Sequence, residues 1–262
     1  MEIIKAVLII GGMGLVFGAL LAVAAKIFEV KKDERIPLIV DCLPGANCGG
    51  CGFAGCAAYA DAICKGEAAV NACPVGGTVA AEKIAQIMGV EAGKMEKMVA
   101  YVICNGTCDV AKDRYYNPEV DTCHAAHRLA GGMKGCMYGC LGCGSCADVC
   151  QFGGISIVNG VARIDRELCT NCGVCMAECP RGLIVRIPYS AKAAVVCASK
   201  ATGKETRLVC DAGCLGCGIC AKNCPENAIT VENNLAVIDA SKCVGCGVCA
   251  EKCPKKCIEI LN

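Results

Sequence analysis

Cys243-Val-Gly-Cys246-Gly-Val-Cys249-Ala-Glu-Lys-Cys253-Pro254 sets four cysteines in the spacing C-x2-C-x2-C-x3-C-P. Cys140/Cys143/Cys146/Cys150, Cys169/Cys172/Cys175/Cys179 and Cys214/Cys217/Cys220/Cys224 repeat it. Pro180, Pro225 and Pro254 close three of the runs, and Gln151 follows the other. Thiolates so spaced are the ligand pattern of paired [4Fe–4S] clusters, with the fourth Cys of each run ligating the other cluster of the pair. That cross-ligation joins Cys140, Cys143 and Cys146 with Cys179, and Cys169, Cys172 and Cys175 with Cys150. It likewise joins Cys214, Cys217 and Cys220 with Cys253, and Cys243, Cys246 and Cys249 with Cys224. Zinc is the main competitor, since CxxC pairs also build tetrahedral zinc sites. Four thiols in a row with a following Pro favour iron and sulfide.

The runs belong to a longer repeat. Every Cys from Cys123 to Cys179 recurs 74 residues later: Cys123 maps to Cys197, Cys136 to Cys210, Cys140 to Cys214 and Cys179 to Cys253. A period of this kind marks a duplicated unit. The fold class is α+β, with two tandem two-cluster ferredoxin-like modules at 137–190 and 191–262. Within each module a hairpin separates the runs. Ile155–Val158, Asn159-Gly160 and Val161–Ile164 read as two strands about a tight turn, and Ala228–Ile238 repeats the plan. Short helices are predicted after Cys146, Cys175, Cys220 and Cys249.

Upstream, Asn47-Cys48-Gly-Gly-Cys51-Gly-Phe-Ala-Gly-Cys56 packs three cysteines among glycines, and Cys73-Pro74 supplies a fourth. Cys48, Cys51, Cys56 and Cys73 are read as one [4Fe–4S] site in a small helical domain at 29–100, which also holds an amphipathic helix over 78–95. Cys104, Cys108, Cys123 and Cys136, in a connecting region at 101–136, are the candidate ligands of a sixth cluster, with Cys136 and Cys143 interchangeable. Cys42, Cys64, Cys197, Cys210 and Cys257 are read as small buried hydrophobes. His124 and His127 beside Cys123 are read as ordinary loop residues, and Asp41 and Asp121 receive no role.

Composition agrees. The chain has 29 Cys, 32 Gly, no Trp and four Phe among 262 residues, with net charge +1. A disulfide scaffold is a property of short secreted chains, and tightly spaced thiols suit a shared metal better. Near-zero charge without a basic run argues against nucleic acid. No dinucleotide loop follows a strand and no phosphate-binding Walker motif is present, so neither nicotinamide nor ATP is expected on this chain. No catalytic residue is assigned.

Ala6 to Ala25 carries no charge and stands between Lys5 and Lys26. About 20 apolar helical residues span the hydrocarbon of a bilayer. Residues 1–28 are therefore read as a single transmembrane helix rather than a cleaved signal peptide. Lys26, Lys31, Lys32 and Arg35 follow it, which places the cluster-bearing part on the cytoplasmic side of the cell membrane. Gly14 and Gly18 form a GxxxG step at which another helix can approach closely.

Anchor, CGGCGFAGC loop and ferredoxin modules, in that order, make the chain resemble the RnfB family of membrane Rnf complexes. The segments 43–56 and 140–146 carry the most specific part of the likeness. The resemblance implies a subunit of an ion-translocating ferredoxin:NAD oxidoreductase, coupled to Na⁺ or H⁺, that takes electrons from reduced ferredoxin. It also implies partner subunits that hold the flavins, the NAD site and the ion path. Many members carry one module and lack the Cys104–Cys136 region, so this is the longer form. A membrane-anchored polyferredoxin serving another anaerobic reductase is the alternative.

Overall fold

Two hairpins organise the cysteine-rich half of the chain. In the first, β2 (Ile155–Val158) pairs antiparallel with β3 (Val161–Ile164); in the second, β6 (Ile229–Glu232) pairs with β7 (Leu235–Ile238). Both turns need two consecutive residues with φ > 0, which Asn and Gly tolerate best. Asn159 and Gly160 sit at φ 47° and 72°, Asn233 and Asn234 at 48° and 64°. The hairpins stand where the alternation placed them.

The computed structural model describes residues 1–27 and 33–261. Lys31 and Lys32, used above for orientation, lie outside the described residues. Helix α1 (Glu2–Ile27) opens the chain. Its side chains are described without a break only from Ile10 to Ala24. Among the described residues no helix is long and apolar enough to cross a membrane.

A small helical unit follows, built from α2 (Arg35–Cys42), α3 (Cys56–Cys64) and α4 (Gly77–Met88). Ile39, Tyr59, Ile63 and Ile84 are its fully buried side chains. Helix α4 is shorter than the predicted 78–95 because Gly89 takes the left-handed cap at φ 67°. The Tyr59 hydroxyl donates to Ala69 O at 2.7 Å and accepts from Ala72 N at 3.0 Å. It thereby fixes the approach to Cys73.

Two pairings escaped the sequence pattern. Strand β1 (Met98–Val102) pairs antiparallel with β4 (Ile184–Pro188), and β5 (Ala193–Val195) pairs with β8 (Ile258–Ile260). Each joins the residues entering a module to those leaving it, so each module closes on itself. Strand β1 opens before residue 101, so its module begins earlier than the predicted boundary.

Short helices lie in the two modules and in the stretches leading into them. Helix α5 (Cys123–Arg128) precedes the first cysteine run. Helices α6 (Ser145–Asp148) and α7 (Val174–Glu178) follow, then α8 (Gly203–Val209) and α9 (Ile219–Lys222). Helix α10 (Val248–Lys252) completes the set. Helices α6, α7, α9 and α10 do not follow the third Cys of each run; they carry it. Each starts after a left-handed glycine, at Gly144, Gly173, Gly218 or Gly247. Cys146 and Cys175 share one core with Val161 and Leu183, and Cys220 and Cys249 share another with Ile229 and Ile258.

Candidate metal centres

The cysteine runs wrap cavities of similar size. Cys214, Cys217, Cys220 and Cys253 line one of about 360 Å³, joined by Cys257. Cys224, Cys243, Cys246 and Cys249 line one of about 340 Å³. Cys140, Cys146 and Cys179 line one of about 370 Å³, together with Cys123; Cys143 stands beside Cys123. Around Cys175 the neighbouring thiols are Cys172, Cys169 and Cys150. The two cavities of the second module gather the sets read from the spacing, while the first cavity of module one has Cys123 in its lining and not Cys143.

Burial makes these thiols poor acids. It pushes Cys146 up to about 12 and Cys175 to about 11, and the neighbouring thiols add to both shifts. Cys143 rises to about 11 for the same reasons, with Cys123 its nearest neighbour. A buried crowd of thiols ionises only when a cation compensates it, and a coordinating metal does so outright. Among the described residues no group of three or more His, Cys, Asp or Glu converges on a point that would hold a single metal ion. A four-iron cage asks for a different arrangement, because each thiolate takes its own iron. An all-thiol donor set fits such cages.

Backbone amides point at the sulfurs. Leu183 N donates to Cys179 Sγ at 3.4 Å, and Ala228 N to Cys224 Sγ at 3.3 Å. Ala100 N, on β1, donates to Cys169 Sγ at 3.3 Å. Such donors orient ligands and tune the centre they hold. In the second module the buried Cys257 thiol hydrogen-bonds Cys214 and Cys253, which lowers the pKa of both while its own rises. Cys257 occupies the place of Leu183 in the first module, since each passes its carbonyl to the entering strand: Ile103 N to Leu183 O and Val196 N to Cys257 O, both 2.9 Å.

The N-terminal loop forms a site of its own. Asn47, at φ 46°, accepts from Cys56 N at 2.8 Å and closes the loop. Gly76 N donates to Cys73 Sγ at 3.3 Å. Burial raises the Cys73 pKa, and Cys51 and Cys56 raise it further from nearby. Cys48 lies close enough to the first module to act on Cys172. Gly50 shows how close: a Cβ there would stand 2.7 Å from Cys172 O.

The proposed quartet Cys104, Cys108, Cys123 and Cys136 does not assemble. Cys108 is exposed beside the Asn159-Gly160 turn, where its amide donates to Asn159 O at 3.0 Å. Cys123 is buried at the first cavity of module one, with its amide donating to Ser145 Oγ at 2.9 Å. Cys104 and Cys136 instead face Cys197 and Cys210 across a cavity of about 380 Å³. The spacing alone assigns the last two to packing. Their signal is nevertheless in the sequence, as Cys210 mirrors Cys136, but the repeat pairs Cys197 with the wrong partner. His124 lies 3.1 Å from Glu178, a residue that lines the first cavity of module one.

Comparison with known proteins agrees with this picture. The Fe-S cluster family model matches residues 43–75, and the 4Fe-4S dicluster domain model matches 139–183 and 213–257. The B subunit of the Na(+)-translocating ferredoxin:NAD(+) oxidoreductase complex of Acetobacterium woodii is 52% identical, over 89% of this chain and 71% of that protein. The B subunit of the ion-translocating oxidoreductase complex of Methanosarcina acetivorans is 42% identical over 92% of this chain and 91% of that protein. The B subunit of the proton-translocating ferredoxin:NAD(+) oxidoreductase complex of Clostridium ljungdahlii is 42% identical over 87% and 81%.

Proposed function

Since the chain belongs to the RnfB family, the B subunits of ion-translocating ferredoxin:NAD(+) oxidoreductase complexes, we propose that it accepts electrons from reduced ferredoxin and delivers them to membrane partners of such a complex. It is an iron–sulfur electron-transfer protein that binds multiple [4Fe–4S] clusters. Five sets of ligands are proposed. Cys48, Cys51, Cys56 and Cys73 hold one cluster. The four cross-ligated sets, two per module, hold the others. One-electron storage is what these clusters supply when bound.

The protein's own residues supply position, insulation and continuity. The observation that carries the reading is adjacency. Cys48 acts on Cys172, Cys175 acts on Cys146, and the N-terminal loop packs directly on the first module. The N-terminal site and the two sites of the first module therefore adjoin one another rather than standing as isolated stores. At the far end Cys246 is exposed and Val244 is 62% exposed, so the last site is open to a protein donor.

The finer membrane assignment is part of the same proposal. Helix α1 crosses the cell membrane once, and its GxxxG step docks against other subunits. The uncharged stretch from Ala6 to Ala25 supports this reading. The cluster-bearing part faces the cytoplasm. Residues 1–28 then serve as anchor and are followed by the first cluster domain, the connector and two modules, with β1 belonging to the first module.

The test uses the purified full chain without oxygen. Reduced ferredoxin is expected to bleach its visible absorption within a mixing experiment. An unchanged spectrum, in protein that carries iron, would remove the proposed role.

A further inference from the structure

Four cysteines that neither family model covers meet between the two modules. Cys104 and Cys136 come from the stretch before the first run, and Cys197 and Cys210 from the stretch before the second. All four line one cavity of about 380 Å³, the size of the cavities wrapped by the ferredoxin runs. Cys104 Sγ and Cys210 Sγ lie 3.6 and 3.7 Å from the point where a Cβ on Gly106 would stand. Cys136 Sγ and Cys104 Sγ lie 3.6 and 3.7 Å from the same point on Gly139. Cys197 feels Cys136 directly.

The two halves are built alike. Val102 pairs with Ile184, and Val195 pairs with Ile258, which lies 74 residues after Ile184. Two residues beyond each valine stands a cysteine, Cys104 or Cys197. Cys104 Sγ accepts from Gly106 N at 3.4 Å and Cys140 N at 3.3 Å. Cys197 Sγ accepts from Ser199 N at 3.5 Å and Cys214 N at 3.3 Å. Cys136 and Cys210 each precede those runs by the same interval. Cys197 is thus the structural counterpart of Cys104, not of Cys123. The stretch between Cys104 and Cys136 is longer than the one between Cys197 and Cys210, and the extra length displaced the sequence register.

We infer that Cys104, Cys136, Cys197 and Cys210 hold a sixth [4Fe–4S] cluster that straddles the two modules. It rests on the iron–sulfur reading of the runs themselves. Cubane cages take four thiolates, and this is the one remaining quartet of cysteines brought to a single cavity among the described residues. Buried cations flank it. Lys134 is 5% exposed and its Nζ donates to Gly106 O and Gly160 O, both at 2.7 Å. Arg181 Nη1 donates to Cys136 O at 2.8 Å and to Gly139 O at 2.6 Å. Both offset the negative charge of a thiolate-bound cage. Through Cys140 and Cys214, the site touches a first-run ligand on either side. It would connect the sites of the two modules.

Anaerobic iron and acid-labile sulfide counts test it on the full chain. Six cages give about 24 iron atoms per chain and five give about 20. The wild type is expected near 24. Cys197→Ala, Cys210→Ala and the double variant are each expected to lose about four iron and four sulfide, the double no more than either single. Cys108→Ala is expected to keep the full count. A wild-type count near 20, or a full count in both Cys197→Ala and Cys210→Ala, overturns the inference and leaves the other five sites standing. Loss of the cage in Cys108→Ala would also overturn it. A wild type without iron would instead sink the broader reading. Where a variant loses more than about four, the wild-type count together with Cys108→Ala decides.

Discussion

Gly142 and Gly216 occupy the same place in the two modules, one residue before the second Cys of a run. At φ 79° and 65° both adopt a conformation that side chains rarely take. Their space is also filled. A Cβ would stand 2.6 Å from Gly160 O in one module and 2.8 Å from Asn234 O in the other. Those carbonyls belong to the hairpin turns, so the cluster loop rests on the turn. Gly153, at φ 61°, has nothing within 4 Å. Gly142→Ala and Gly216→Ala are expected to cost about 3 kcal/mol each, from strain plus displaced backbone, while Gly153→Ala costs about 1 kcal/mol from strain alone. Thermal unfolding of the iron-loaded chain measures the difference. The cysteines could be read from spacing because ligand geometry is local. The fate of Cys197 could not, because two candidate registers compete and only the β-pairing chooses between them.

The elements are small, and their cores contain the ligands. Helix α6 has four residues and α7 five, well below the length at which a helix stands alone. Cys146 on α6 and Cys175 on α7 are buried with Val161 and Leu183. Removing iron would leave these thiols around empty space, with too little apolar surface to hold the helices. Chelation under reducing, oxygen-free conditions is expected to abolish the cooperative transition of both modules, as metal binding and folding are one equilibrium in such domains. Loss of far-UV dichroism and of amide protection over 137–262 is the measurement. The hairpins and the glycine-rich N-terminal loop were legible because each has a local signature. The pairings of β1 with β4 and β5 with β8 were not, since they join strands far apart in sequence and carry no turn between them. The early stop of α4 was legible at Gly89 and went unused.

Across the whole molecule, contact between units decides whether the sites communicate. Gly50 is the narrowest point between the N-terminal domain and the first module, with Cys172 O and Pro74 on either side. Gly50→Ala is expected to push the loop off Cys172 without touching a ligand. Iron content should hold, while the arrival of electrons at the N-terminal site, followed by stopped-flow absorption after ferredoxin addition, should slow by about tenfold for a rise in barrier of about 1.4 kcal/mol. Unchanged rates would place the entry point elsewhere.

The longer stretch between Cys104 and Cys136 has one more effect. It lays Cys123 and α5 against the first cavity of module one, and Gly132 close against Leu141. Cys143 there is half covered, whereas its counterpart Cys217 in module two is open to solvent, as is Cys246. Dioxygen attacks where a centre is least sheltered. Brief exposure to air should therefore bleach the C-terminal module first and spare the one beneath the strap.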